Sequence, residues 1–339
     1  MRIAQVMAGA PTGGAELFFE RLTIALAAAG DTVLPVIRRN AARAERLACA
    51  DVSPVQLGFG GPFDLLTGRT LRTVLHQFAP RVAVAWMNRA ARFTPRGGWV
   101  LAGRLGGYYD LSYYRRCDHL IGNTRGIVDW VARQGWPAAR VHHLPNFSPD
   151  MANAVPASLG LPNGVRILLA LGRLHPNKGF DVLVRALPAL PGVHAVIAGE
   201  GPERTALLAL AGREGVAGRL HLPGWCADTA ALLGAADLLV CPSRHEPLGN
   251  VVIEAWSARR PVVAAATDGP RELIMPGCDG MLVPPEDPKA LAGAIAGLLD
   301  DPARAAALAE AGRLRYEAEH AEAPVVARWR QFLATVEKP

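Results

Sequence analysis

The segment from Ala235 to Trp256 constrains this chain most. It opens on an apolar run, Ala235-Ala-Asp-Leu-Leu-Val-Cys241, which reads as a buried strand. Pro242 stops that strand, and Gly249 with Asn250 suits the turn that opens the next helix. Glu246 therefore falls in the loop at the strand's carboxyl edge, and Glu254 falls one turn inside the helix. In a doubly wound sheet that edge is where ligands bind. A helix start also presents unpaired N–H groups and the positive end of a dipole, so the amides near Leu248, Gly249 and Asn250 suit a phosphate or a sugar hydroxyl. Two carboxylates beside such a site point to hydroxyl recognition, because ionised carboxylates accept hydrogen bonds from sugars.

The same strand–loop–helix alternation runs through both halves of the 339 residues. In the first half the patterns predict strands over 3–7, 32–37, 81–85, 99–102, 119–122 and 141–144, and helices over 17–29, 65–78 and 126–134. Residues 38–61 show no pattern and read as a variable stretch. Residues 148–164 are rich in Pro, Asn and Gly and read as a linker. Beyond it, strands are predicted over 165–171, 194–198, 219–222, 235–241, 261–265 and 280–283, and helices over 181–190, 204–214, 229–234, 288–299, 302–318 and 323–336. The expected fold class is α/β: two Rossmann-like domains, each a parallel sheet covered by helices, facing each other across a cleft. The expected division is 1–150, joined by about 322–339, and 151–321.

Composition narrows the function. Residues 1–150 hold 18 Arg against 10 acidic residues, whereas the remainder is slightly acidic. Arg38, Arg39, Arg43 and Arg46 crowd one segment, and Arg89, Arg92, Arg96 and Arg104 another. A basic first half fits an anionic membrane or a phosphorylated acceptor. Nucleic acid is not expected, since aromatics do not interleave the arginines and no nucleic-acid module is visible. Five scattered cysteines without a CxxC pair read as reduced thiols in a cytoplasmic protein, with no zinc site. No signal peptide and no apolar run of 18 or more residues is evident, so peripheral attachment at the inner face of the membrane is the expected limit of membrane contact. Asp300-Asp301 precedes a Pro at a helix start and reads as a cap rather than a metal-binding pair.

The second half supplies cations where a diphosphate would need them. Gly172-Arg173-Leu-His-Pro-Asn-Lys178-Gly179 follows the strand at 165–171, at the same edge as the loop carrying Glu246. Two cations and a helix start make a diphosphate cradle, Arg offering a fork and Lys a point charge. Gly199, Gly201 and Gly224 end neighbouring strands on that edge and are candidates to hold a nucleotide base, with Trp225 beside them. In the first half, Gly13-Gly14-Ala-Glu16 lies between the first strand and its helix, where paired glycines let a backbone approach a ligand.

The Glu246-to-Glu254 run with seven residues between, the Gly-Arg-(x4)-Lys-Gly loop and the Gly-Gly-Ala-Glu element together resemble the retaining nucleotide-sugar glycosyltransferases of GT-B type, family 4 (group 1), which build bacterial lipopolysaccharides and polysaccharides. The resemblance covers nearly the whole chain and is more specific in the second half. It implies a hexosyl transfer from a nucleotide-diphosphate-sugar, such as a UDP- or GDP-sugar, to a lipopolysaccharide-core, lipid-linked or other surface-glycan acceptor, with retention of configuration. It implies no cofactor and no metal, an acceptor-binding first domain, a donor-binding second domain, and a last helix crossing back to the first domain. Residue by residue, it places Arg173 and Lys178 on the diphosphate, Glu246 on the transferred sugar, Glu254 on the ribose, and Gly13, Gly14 and Glu16 on the acceptor side of the cleft. Many family members set a histidine at a first-domain strand end near the donor sugar; here Asn88, Arg89 and Arg104 occupy those places. An epimerase or phosphorylase on the same fold, and a non-catalytic nucleotide-sugar-binding protein, stay open as alternatives. A hydrolase using the two glutamates as acid and base fits less well, because it leaves the cationic loop without a task.

Overall fold

A computed structural model describes residues 1–11, 13–60, 64–162 and 164–339. The chain divides into two compact units, Met1–Phe147 with Glu322–Pro339, and Ser148–Ala321.

The first unit holds β1 (Arg2–Met7), α1 (Gly14–Ala28), β2 (Thr32–Arg38), α2 (Ala41–Ala48), β3 (Val55–Leu57), α3 (Leu65–Phe78), β4 (Val82–Trp86), α4 (Met87–Phe93), β5 (Val100–Leu105), β6 (His119–Gly122), α5 (Arg125–Arg133) and β7 (Val141–His143). Its seven strands form one sheet in the order β3-β2-β1-β4-β5-β6-β7, every pair parallel. The order reverses direction between β1 and β4. Strand β4 shows why the sheet needs cover on both faces. Val82, Val84 and Trp86 pack into one core and Ala83 and Ala85 into the other, with all five buried.

The second unit holds β8 (Arg166–Leu171), α6 (Phe180–Ala186), β9 (Val193–Ala198), α7 (Arg204–Arg213), β10 (Leu220–Gly224), α8 (Thr229–Ala235), β11 (Leu238–Cys241), α9 (Asn250–Ser257), β12 (Val262–Ala265), α10 (Asp268–Leu273), β13 (Met281–Val283), α11 (Pro288–Leu299) and α12 (Pro302–Arg315). Its six parallel strands run β10-β9-β8-β11-β12-β13, reversing between β8 and β11. Leu168 and Ala170 of β8 face one core, Leu169 and Leu171 the other. Asp301 caps α12 by accepting from Arg304 N at 3.0 Å, with Pro302 at the first helical position.

The last helix, α13 (Glu322–Thr335), belongs to the first unit. Val325, Trp329, Phe332 and Leu333 fill one of that unit's cores, and Trp329 stacks on Trp86 with ring centroids 6.2 Å apart.

The structure departs from the sequence reading in several places. The stretch 38–61 contains α2 and β3 rather than irregular chain. Helix α2 hid because its inward positions are Leu47 and, unusually, Arg43, which is 1% exposed. Asn88 and Arg89, expected at a strand end, follow directly on β4 and lie in α4, a helix the patterns did not predict. Strand β5 runs to Leu105 instead of ending before Gly103. That glycine sits mid-strand because Tyr114 and Cys117 pack against it: a Cβ would lie 2.6 Å from Tyr114 Cδ1 and 3.0 Å from Cys117 Sγ. Helix α12 also ends earlier than expected, in a π-helical turn Tyr316–His320.

Candidate functional site

In the second unit, the loops after β8 and β11 meet at the point where strand order reverses, the usual ligand position of such a sheet. The β8 loop enters a 3₁₀ turn, Pro176–Lys178, and the β11 loop ends at Gly249, which caps α9 with φ 89°. Gly179 makes their approach possible. It has φ 61°, and a Cβ there would overlap the Pro242 carbonyl oxygen.

Across this junction Lys178 Nζ donates to Glu246 Oε2 at 2.5 Å, the two side chains being 26% and 11% exposed. Ser243 Oγ donates to the same oxygen at 3.2 Å. Burial alone would favour the neutral amine; the Glu246 carboxylate and the adjacent Cys241 outweigh it and hold Lys178 above its ordinary pKa. Burial pushes the Cys241 thiol up to about 11, which leaves it protonated and unreactive at neutral pH.

Residues that the sequence reading did not single out hold these loops. Arg244 donates a fork to Asp181 at 2.7 and 2.8 Å, a third bond to Pro176 O at 2.9 Å and a fourth to Glu286 at 2.8 Å. The backbone N–H groups of Arg244 and His245 both donate to Asn177 O. Gly269 N donates to Glu246 O at 2.8 Å, so α10 steadies the carboxylate's own backbone. Arg244 lies in the loop between β11 and α9. Its partners lie up to 68 residues away, and sequence spacing carries no trace of them.

The other donor-side candidates surround this junction. Leu248 is buried, Asn250 is the first residue of α9, and Glu254 is half-buried one turn further. Arg173 is exposed and makes no ion pair among the described residues. Gly172 and Gly199 lie where the β8 and β9 loops touch, and a Cβ on Gly199 would overlap the Gly172 carbonyl. A Cβ on Gly201 would likewise overlap the Leu174 carbonyl, so packing between loops already requires these glycines. Gly224 ends β10 and accepts from Gly199 N at 2.8 Å. Trp225 is 62% exposed.

In the first unit, β1 and β4 flank the reversal, and the glycine loop follows β1. Thr12 of that loop lies outside the described residues. Gly13 precedes α1 and Gly14 is its first residue. Glu16 is 5% exposed and turns back on the loop, its Oε1 accepting from Ala10 N at 2.7 Å. Asn88 Oδ1 accepts from the Tyr114 hydroxyl at 2.9 Å.

Two first-half readings need correction. Arg104, expected at a cleft-facing strand end, is 3% exposed within β5. It donates to Asn146 Oδ1 at 2.6 Å and to the Leu105 carbonyl, and its guanidinium lies over the rings of Phe18 and Trp86. Burial pushes its pKa down to about 9, partly offset by the phenols of Tyr109 and Tyr114. Two cations of the basic segment 38–46 are also engaged internally: Arg43 is buried against Glu20 at 2.8 Å, and Arg46 pairs with the same carboxylate at 2.7 Å. Arg38 and Arg39 remain exposed.

Comparison with known proteins agrees with this architecture. The family described as "Glycosyl transferases group 1" matches residues 165–301, which span the Lys178–Glu246 junction. Lipopolysaccharide core biosynthesis glycosyltransferase LpsE of Rhizobium meliloti (strain 1021) is 32% identical over 329 residues, 95% of this chain and 96% of that protein. LpsD of the same organism is 33% identical over 301 residues, 86% of each chain. The crystal structure of Anabaena Alr3699/HepE in complex with UDP-glucose shares the fold, with a TM-score of 0.85 over 99% of this chain and 100% of that one at 22% identity. The chain belongs to the group 1 (family 4) glycosyltransferases of GT-B type, and it is a glycosyltransferase.

Proposed function

We propose that the chain moves a hexose-type sugar from a nucleotide-diphosphate-sugar, a UDP- or GDP-sugar, to a lipopolysaccharide-core, lipid-linked or other surface-glycan acceptor, with retention of anomeric configuration. The observation that carries this reading is the Lys178–Glu246 pair, set beside the start of α9 at the reversal of strand order. In this reading the diphosphate replaces Glu246 as the counter-ion of Lys178. Arg173 and the N–H groups of α9 join Lys178 on the phosphate oxygens, where charge builds as the glycosidic bond breaks. Glu246, released from the ammonium, accepts hydrogen bonds from the transferred sugar, and Glu254 accepts them from the ribose. The leaving-group charge is thereby met by protein groups, with no metal or other cofactor required.

The first unit takes the acceptor in this reading. The glycine loop at Gly13 and Gly14 offers backbone, while Glu16 and Asn88 shape its surroundings. The names of LpsE and LpsD support a lipopolysaccharide-core acceptor, and the ligand named for HepE supports a uridine nucleotide. No helix among the described residues is long and apolar enough to cross a membrane. Arg38, Arg39, Arg89, Arg92, Arg115 and Arg116 are exposed and suit peripheral contact with an anionic membrane at its cytoplasmic face.

The test is a melting-temperature panel of UDP, GDP and ADP with their sugars, followed by NMR of the product. A donor binding the folded state raises the melting temperature by mass action. We expect a UDP- or GDP-sugar to do so, turnover to survive EDTA, and the product to keep the donor's anomeric configuration. No shift with any of these nucleotides removes the donor reading, and an inverted product removes retention.

A further inference from the structure

We propose that Arg43 is a positioning residue for the acceptor: it clamps the glycine loop after β1 into the shape that receives the acceptor hydroxyl. The inference rests on the reading of this loop as the acceptor side.

The loop between β1 and α1 makes no regular backbone ladder, so other groups must hold its carbonyls. The guanidinium of Arg43 holds two of them. Its Nη2 donates to Ala10 O and to Pro11 O, each at 3.1 Å, while its Nε donates to Glu20 Oε1 at 2.8 Å. Glu20, 5% exposed on α1, is held in turn by Arg46 through bonds of 2.7 and 2.9 Å. Arg43 therefore joins α1, α2 and the loop through one planar group that shares the Glu20 carboxylate with Arg46. Asn40 adds a second hold. Its Nδ2 donates to Pro11 O at 3.2 Å, and its Oδ1 caps α2 by accepting from Arg43 N at 2.9 Å. From the other side Glu16 takes the Ala10 N–H at 2.7 Å. Ala10 is thus fixed at both its N–H and its carbonyl, and Pro11 at its carbonyl, by three side chains.

A buried arginine at this cost in desolvation needs a task beyond cohesion, since an apolar residue would pack α2 onto α1 as well. Its two loop bonds supply that task. Lysine keeps the charge and can reach Glu20, but its single ammonium cannot bridge Glu20 and both carbonyls in one plane.

The experiment uses the full chain and its Arg43→Lys variant. UDP-glucose serves as donor probe, and core oligosaccharide released from lipopolysaccharide by mild acid serves as acceptor probe. Arg43→Lys should raise the acceptor KM by about tenfold, with kcat and donor KM within about twofold and the UDP-induced melting shift unchanged. Amide exchange over residues 8–17, which needs no substrate, should rise by about tenfold while exchange in the rest of the first unit holds. Asn40→Asp keeps the α2 cap but cannot donate to Pro11, and it should move both readouts in the same direction if Arg43→Lys does not fold. Gly9→Ala disturbs the loop directly, because its Cβ would overlap the Glu16 carboxylate. If Gly9→Ala raises the acceptor KM and Arg43→Lys does not, the clamp is wrong and the acceptor reading stands. If neither changes it, the acceptor reading is wrong and the clamp's role falls with it. Unchanged exchange over 8–17 in both clamp variants overturns the clamp itself.

Discussion

Lys178 is an ammonium with one carboxylate partner, on a loop pinned by Arg244. Removing it should leave the backbone in place and cost the reaction a preorganised cation, a loss of roughly 2–4 kcal/mol in the barrier. We expect Lys178→Ala and Arg173→Ala each to lower turnover by about a hundredfold or more, with unchanged circular dichroism. Wild-type turnover in either variant would remove that residue from the diphosphate site. The strand-end placement of Arg173 and Lys178 was legible because strand ends, turn glycines and charge spacing are local properties. The loops of Lys178 and Glu246 meet where parallel-sheet topology sends them. The fork from Arg244 to Asp181 was not legible, because either charge read alone is an ordinary surface residue. Arg104 misled for the opposite reason. A cation after Ala102-Gly103 looks like a loop, yet here the strand continues and the guanidinium packs on the rings of Phe18 and Trp86.

Three elements with a clean apolar period fall on their expected bounds, α3, α11 and β6, while α1 starts three residues early and β11 three residues late. The helices α4 and α10 were not read at all, and two other elements failed where an inward position carries something other than an apolar side chain. In α2 that position is Arg43, and in β5 it is Gly103. The latter makes a prediction at the scale of the strand. Gly103→Ala places a methyl against Tyr114, Cys117 and Leu120, which must separate the 3₁₀ turn Leu111–Tyr114 from the sheet. Overpacking of this kind costs about 1–3 kcal/mol. The variant should show a lower unfolding midpoint in urea, with the UDP-induced melting shift of the second unit retained. An unchanged midpoint would mean that Tyr114 has room to move.

The first unit also carries an acid-sensitive contact. His142 of β7 lies 3.0 Å from His119 of β6, and its ring packs on Phe332 of α13. Burial, with His119 nearby, pushes its pKa down to about 4 from an ordinary 6.5. Between these values the unfolded chain binds a proton that the folded unit refuses, so stability falls as pH drops from 6.5 towards 4. His142→Phe should flatten that part of the stability–pH curve, measured by urea midpoints between pH 7 and 4. An identical slope in the variant would assign the effect to another group.

Trp329 and its neighbours on α13 have one more consequence, which concerns synthesis. A ribosome delivers residues from the amino end, and domains generally fold as their chain emerges. The second unit is contiguous and can close its sheet and both its cores while the last helix is still unmade. The first unit cannot: Trp86 lacks its stacking partner until residue 329 has been added. The part of the molecule translated first is therefore the last to be finished, and a nonsense codon just before Glu322 would leave that half with an open apolar face rather than merely shorten the tail.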